Sequence, residues 1–303
     1  MSQSLLRAGW SVWGLSHAAP EPGALTDDER RAIHWDLGDI RSNDAIAGVL
    51  DAAQPDAVFH LAGLAYVPAA VDDPVHAYDV NLLGAVRLLA AIRTRRAAGT
   101  LDPVVLLVGS GEQYGAHDPS DMPLSESMPT HPATVYATTK AAQELAGLQA
   151  ARADGTRVVL TRSFNHSGRG QTGDFVMPAT IRRVLALRTT RSCELLVGNL
   201  SAVRDFLHVA DVAAAYLALV ERGTPGEVYN VCSGTGWSIE AITKLAIERA
   251  GVEAELVTDQ SLLRPVDVPS LIGSPARLQT QTGWAPRLGV PDIIDDLIHA
   301  ATH

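Results

Sequence analysis

Five successive apolar residues at 104–108 (Val-Val-Leu-Leu-Val) are too short a run for a helix and are closed by Gly109 and Ser110. Such a run marks a strand buried on both faces, as parallel sheets require. Similar short runs recur at 12–15, 57–63, 157–161, 195–198 and 228–231. Helical spacing fills the intervals. Ile46, Val49 and Leu50 share one face of residues 39–53, and Gln54-Pro55-Asp56 breaks that helix. A second helix begins near Pro74, carries Val80, Ala85, Leu88, Leu89 and Ile92, and frays at Arg95-Arg96. A third begins at Thr134, and others are predicted over 178–188, from Asp211, over 239–250 and over 293–301. Residues 2–8 read as the end of a helix with Gly9 as its cap. Strands alternating with helices at this spacing predict an α/β protein with a doubly wound parallel sheet. After Arg162 the rhythm changes to a polar, glycine-rich stretch at 164–171, shorter elements, and irregular chain from Arg264 to Trp284.

Composition narrows the function classes. With 303 residues, 47% hydrophobic and 19% charged, the chain can bury a large core as one unit or two joined domains. A net charge of −10 argues against nonspecific binding to nucleic acid or anionic membrane. A phosphorylated ligand would then need local arginines. Cys193 and Cys232 lie in apolar sequence without metal-ligand spacing, so reduced structural cysteines in a cytoplasmic protein are expected, and no metal site. No uncharged run reaches membrane-spanning length, 209–220 coming nearest before Asp211 interrupts it. Residues 1–7 lack the pattern of a secretion signal, so a soluble protein is expected.

Chemistry concentrates where strand 104–108 ends. Gly109-Ser110-Gly111-Glu112-Gln113-Tyr114-Gly115 falls at the carboxyl edge of the sheet, where open α/β sheets bind ligands. In the helix that follows, Tyr136 and Lys140 are four residues apart and share a face. Only two of 24 basic residues are lysine, which suggests a position that wants a compact ammonium rather than a planar fork. Ser110, Glu112, Tyr136 and Lys140 therefore supply a hydroxyl, a carboxylate, a phenol and an amine to one cleft. That set suits the transfer of a proton and a hydride at a carbonyl.

These residues, with Phe59-His60-Leu61-Ala62-Gly63 and Val80-Asn81, resemble the extended short-chain dehydrogenase/reductase family, in its nucleotide-sugar branch. The stretches 164–171, Arg204-Asp205-Phe206, 229–234, 264–278 and Gly283-Trp284 are similar to the GDP-mannose group. They are most similar to its 4-keto-6-deoxymannose reductases, then to its 4,6-dehydratases. The resemblance runs from Leu5 to Pro286. It implies a Rossmann-like dinucleotide-binding domain (1–162 and 200–232) and a smaller interleaved nucleotide-sugar domain (163–199 and 233–303). It implies NADP(H) or NAD(H) as cofactor, with Ser16 in place of an acid at the end of the second family strand favouring NADP. Tyr136 would then be the proton donor, its pKa lowered by the nearby cation of Lys140; Lys140 would also reach the nicotinamide ribose, and Ser110 would bond the reacting carbonyl oxygen. Asn81 would hold the helix and Lys140, or else be an ordinary exposed helix asparagine. Leu61, Ala62 and Gly63 would line the cofactor. Asp36-Leu37 would contact adenine, although an aspartate before a helix is equally an N-cap. Gly111, Asn165, Arg204 and Arg264 would bind the sugar nucleotide, and His166 would be structural. Glu112 is either the base of a dehydration or a carboxylate that orients substrate.

Three readings follow. The chain reduces a GDP-linked 4-keto-6-deoxy sugar; or it is a 4,6-dehydratase or related epimerase; or it is a catalytically silent nucleotide-binding protein of the same fold. The third is supported by a missing feature: no glycine triplet in a strand–turn–helix setting precedes residue 12. The expectation is that Met1 is an internal start and the native protein is longer by one strand and one turn, roughly 15–20 residues. The family resemblance also implies a homodimer formed through the helices starting near Pro74 and Thr134, with a small-residue surface at Ala137, Ala141 and Ala142.

Overall fold

A computed structural model of the chain describes residues 1–19, 25–190, 193–263 and 268–302. It opens with α1 (Ser2–Arg7), and Gly9 takes the left-handed conformation (φ +81°) that turns the chain into β1 (Val12–Ser16). Next come α2 (Asp27–Ala32) and β2 (Ile33–Leu37), which the hydrophobic pattern did not reveal. α2 is Asp-Asp-Glu-Arg-Arg-Ala, without an apolar stripe; a reciprocal capping box between Thr26 and Glu29 starts it instead. β2 pairs in parallel with β1 from Val12↔Ile33 to Ser16↔Leu37. Asp36 thus lies in a strand, which removes the N-cap alternative. The cap of α3 (Asn43–Ala53) is Ser42, whose Oγ accepts the Ala45 N–H at 3.2 Å. The helix starts about a turn later than the predicted Asp39, because Asp39 instead binds Arg41, accepting from both its backbone N–H and its guanidinium.

The remaining parallel strands are β3 (Ala57–His60), β4 (Val104–Ser110), β5 (Val158–Ser163) and, later in the chain, a fourth at Val228–Val231. Between β3 and β4 lie α4 (Val67–Asp72), α5 (Pro74–Tyr78), a π-helical turn at Asp79–Leu83, and α6 (Gly84–Ala97). The long α7 (Val135–Asp154) connects β4 to β5. The helical run Pro74–Ala97 contains an 18-residue stretch long and apolar enough by composition to cross a membrane; it, rather than 209–220, comes nearest to a span. Its Leu88, Leu89 and Ile92 pack on Ile46, Leu50, Val105 and Leu107, which is the position of a core helix.

Alternate residues of β4 and β5 feed two different cores. Val105, Leu107, Val158 and Leu160 face α3, α6 and α7, whereas Leu106 and Val159 face the opposite helical layer. Burial on both sides is why these strands read as continuous apolar runs. β1 pairs only with β2 among the described residues, and β3 only with β4, so these six strands form a two-stranded and a four-stranded parallel sheet.

Beyond β5, β6 (Asn165–Ser167), α8 (Val176–Ala186), β7 (Glu194–Val197) and β8 (Val203–His208) precede α9 (Val209–Arg222). After the strand at 228–231, now β9, come β10 (Gly236–Ser238), α10 (Ile239–Ala250), β11 (Glu255–Thr258), β12 (Ser270–Leu271), α11 (Ala276–Thr282) and α12 (Val290–Thr302). β8 is the hub: β6 and β12 pair with it in parallel and β10 antiparallel, while β7 pairs with β11. A third core joins Met177, Ile181 and Val184 of α8 to Ile242 and Ala246 of α10 and to Ile293, Ile294 and Leu297 of α12. Cys232 is buried, but Cys193 is exposed rather than apolar-packed; both are free thiols.

Candidate active site

The site is built where β4 ends. Gly109 is dictated by space: a Cβ there would collide with the Thr161 carbonyl oxygen and the Gln113 side chain. The chain then closes a 3-10 turn, Gly111–Tyr114, whose N-cap is Ser110. The Ser110 Oγ accepts the Glu112 N–H at 3.2 Å, and the Ser110 N–H donates to Gln113 Oε1 at 2.8 Å. A Cβ on Gly111 would press on the buried Phe164 ring at 3.1 Å, so the turn lies flat against the chain that enters β6.

α7 supplies the opposite wall. Thr134 caps it through the Ala137 N–H at 3.1 Å, and Tyr136 and Lys140 follow one turn apart. Burial pushes the Tyr136 phenol above the ordinary tyrosine range; a hydrogen bond with Ser110 pulls it down, and the Glu112 charge pushes it up. Ser110, Glu112 and Tyr136 thus act on one another. The Lys140 ammonium donates to the Val108 carbonyl at 2.9 Å and to Gln143 Oε1 at 3.1 Å, and burial draws its pKa down to about 8.

Asn81 is fully buried, not an exposed helix residue. It sits in the π-helical turn, a feature common at functional sites. Its Oδ1 accepts the Leu64 N–H at 2.7 Å and its Nδ2 donates to Thr139 Oγ1 at 2.9 Å. Asn81 therefore ties the 61–64 turn to α7. A Cβ on Gly63 would lie 3.2 Å from Asn81 Oδ1 and 3.3 Å from Lys140 Nζ, so bare backbone at Gly63 borders the lysine. Leu61, Ala62 and Gly63 at the end of β3, and Asp36 and Leu37 at the end of β2, are all exposed along the carboxyl edge. Bare backbone at Gly63 beside a lysine, with exposed strand ends at β2 and β3, fits a dinucleotide.

The sugar-nucleotide residues are more dispersed. Asn165 lies in β6, and its buried Nδ2 lacks a hydrogen-bond partner. His166 Nδ1 meets the Phe164 carbonyl at 3.0 Å, and burial lowers its pKa. Arg204 is on β8, half-buried, its Nη1 donating to the Val203 carbonyl. Its neighbour Asp205 is buried and accepts the backbone N–H groups of Ser233 and Gly234 at 2.8 and 2.9 Å, which fixes the 232–235 turn. Arg264 lies outside the described residues.

The residues that hold these groups were not singled out from the sequence. Gln113, Thr139, Gln143, Glu144 and Arg162 are all buried polar residues at the site. A signal existed: Gln143 and Glu144 follow Lys140 by three and four residues, which places polar groups on the inward face of an otherwise packed helix.

Likeness to known proteins extends over the whole chain. A family model described as GDP-mannose 4,6 dehydratase matches residues 1–297. The GDP-6-deoxy-D-mannose reductase of Pseudomonas aeruginosa is 40% identical over 237 residues, 78% of this chain and 77% of that protein. GDP-mannose 4,6 dehydratase 2 of Arabidopsis thaliana is 25% identical over 312 residues, 98% of this chain and 82% of that one. The structure of RMD from Pseudomonas aeruginosa complexed with NADPH superimposes with a TM-score of 0.82 at 32% identity, covering 100% of this chain and 96% of the other. With its parallel α/β sheets and a serine–tyrosine–lysine wall at their carboxyl edge, the chain belongs to the GDP-mannose 4,6-dehydratase family of extended short-chain dehydrogenases/reductases.

Proposed function

We propose that this protein reduces the 4-keto group of a GDP-linked 4-keto-6-deoxy sugar. The observation that carries the reading is Tyr136 facing Ser110 and Glu112 at the end of β4, in a chain with 40% identity to a GDP-6-deoxy-D-mannose reductase. A bound reduced nicotinamide would supply the hydride to the carbonyl carbon. The chain does the rest. Ser110 Oγ holds the carbonyl oxygen, Tyr136 gives it the proton, and a secondary alcohol results. The raised pKa of Tyr136 keeps the phenol protonated, the state a proton donor needs. Lys140, Tyr136, Asn81, Leu61, Ala62, Gly63, Asp36 and Leu37 would hold the dinucleotide. Ser16 at the end of β1 leaves no acid to oppose a 2′-phosphate, which favours NADPH, the cofactor of the related RMD structure. Gly111, Asn165, Arg204 and Arg264 would bind the sugar nucleotide; the unpartnered Asn165 Nδ2 is a donor in need of an acceptor.

A second reading, 4,6-dehydration, rests on Glu112, which is half-buried with its charge acting on Tyr136. Two incubations separate the readings: NADPH with GDP-4-keto-6-deoxymannose, and NADP with GDP-mannose. We expect the first to consume NADPH and form GDP-rhamnose. Conversion of GDP-mannose without net cofactor turnover would replace the reductase reading by the dehydratase one, and no reaction or dinucleotide binding would leave the silent-protein reading. Glu112→Gln sharpens the choice. A reductase deprotonates no carbon, so we expect ketone reduction to persist in this variant; its complete loss contradicts the mechanism.

We further propose that the interleaved segments 163–199 and 233–303 form the sugar-nucleotide half, that the protein works in the cytoplasm, in keeping with two free cysteines, and that it pairs as a homodimer.

A further inference from the structure

One buried ion pair lies where the three site-bearing elements meet. Glu144 of α7 holds Arg162 of β5 through both carboxylate oxygens, Nε to Oε2 at 2.9 Å and Nη2 to Oε1 at 2.7 Å. Gln113, at the end of the 3-10 turn, bridges the pair to the site: its Nε2 donates to Glu144 Oε2 at 2.8 Å while its Oε1 accepts the Ser110 N–H at 2.8 Å. The Arg162 guanidinium also covers the Tyr114 ring at 4.7 Å. Gln113, Glu144 and Arg162 are 0%, 8% and 6% exposed, so none presents itself to a substrate.

We infer that Gln113, Glu144 and Arg162 form a clamp that sets the position of the Ser110–Glu112 turn relative to Tyr136. They are positioning residues for the reduction proposed above, and the inference rests on that reading. Glu144 is eight residues after Tyr136 and four after Lys140, so all three share a face of α7. Fixing Glu144 therefore fixes the phenol's side of the helix. Arg162 sits opposite Gly109 in the β4–β5 register, and Ser163 opposite Ser110. The clamp thus ties helix, strand and turn at one point.

The choice of chemistry supports this role. Burying two charges costs desolvation, and apolar side chains of similar volume often hold a core equally well. What an ion pair and an amide add is direction: a bidentate fork has one geometry. The Gln113 amide fits because it presents an acceptor to Ser110 and a donor to Glu144 at once. A carboxylate there would repel Glu144, and an apolar side chain would leave the Ser110 N–H unpaired and Glu144 Oε2 with Arg162 Nε alone. Displacement of a reacting group by about 1 Å can cost about 10²-fold in rate, so a small slip of the turn is sufficient to matter.

The test compares the parent with Gln113→Met and Glu144→Gln in the full chain. Hydrogen exchange of the peptide spanning 108–116 is followed beside steady-state rates and NADPH affinity. We expect Gln113→Met to exchange the Ser110 amide at least about tenfold faster, with thermal unfolding still cooperative. We expect its kcat to fall on the order of 10–100-fold, with KM and NADPH affinity within about threefold. Glu144→Gln replaces one oxygen of the fork by an amide that cannot accept from Arg162, so its kcat should fall in the same direction, with KM and NADPH affinity again within about threefold. If Gln113→Met does not fold, the paired change Glu144→Leu with Arg162→Met removes both charges together and is read the same way. Unchanged Ser110 exchange, or a kcat within threefold of the parent in the folded variant, overturns the clamp. A parent that shows no ketone reduction but loses Ser110 protection in Gln113→Met refutes the reductase reading and leaves the clamp as the anchor of that turn.

Discussion

At the scale of single residues, protonation states decide what the site does. Tyr136 is kept as a neutral phenol by burial and by the Glu112 charge, so its value lies in donating a proton rather than in being ionised. We expect Tyr136→Phe to fold while turnover drops about 10²–10⁴-fold; rates within threefold of the parent sink the assignment. His60 shows the converse effect of burial. Its Nε2 has no hydrogen-bond partner, and burial, with the Lys140 charge, depresses its pKa to about 3. In the unfolded chain a histidine titrates near 6.5. Below that pH the unfolded state takes up the proton that the folded state refuses, so His60's share of stability is complete above 6.5 and drains away as pH falls toward 3. The apparent Tm of His60→Leu should therefore fall less steeply than the parent's between pH 6.5 and 4.5. Parallel Tm profiles would show that His60 does not titrate as described. Ser110, Glu112, Tyr136 and Lys140 were legible from sequence because their types and spacing carry chemistry. Their supports were not. Gln113, Glu144 and Arg162 are ordinary polar residues until the fold brings three distant segments to one point, and no local pattern encodes that meeting. A four-residue spacing sets a shared face for Tyr136 and Lys140, but the ammonium's partner, the Val108 carbonyl, comes from another element.

Among elements, legibility followed burial. β4 and β5 are buried on both faces and α7 has capping at both ends, by Thr134 and by Gly155 in the left-handed conformation; each was readable from apolar runs and glycine punctuation. α2 buries no residue, β2 buries one, and β10 and β12 are three and two residues long. The three strands are defined by their partners β1 and β8, not by their own sequence. The close β4–β5 contact sets up a sharp expectation at Gly109. A methyl group there meets the Thr161 backbone, which cannot rotate aside as a side chain can. Gly109→Ala must part the strands just where Ser110 pairs with Ser163. We expect a lower Tm and loss of most activity, whereas Gly48→Ala, a helix glycine with open space around its Cβ position, should be neutral or slightly stabilising. Equal Tm values for Gly109→Ala and the parent would show that the contact yields freely.

For the whole molecule, the surface beside α7 is a part that its own fold leaves uncovered. Val71 of α4, Val75 of α5, Leu83 of the π-helical turn, Val86 of α6 and Leu145 of α7 are exposed, Val75 at 78% and Leu145 at 67%. Single exposed apolar residues are ordinary, but five on helices packed around one another mark a face suited to association. The small-residue surface expected on α7 serves the monomer in part, since Ala137 is buried within it, so the larger residues are the better basis for pairing. A second copy of the same face would cover them by two-fold symmetry, helix against helix. Light scattering at micromolar concentration should then give twice the mass of the chain. Leu145→Glu would place a charge in that contact twice over, once from each copy, and should shift the protein to monomer. Tyr136 and Lys140 point to the cleft rather than along the Leu145 face, so NADPH binding should survive the change. A parent of monomeric mass, or a Leu145→Glu variant that remains dimeric together with Val75→Glu, would show that these residues do not form the contact.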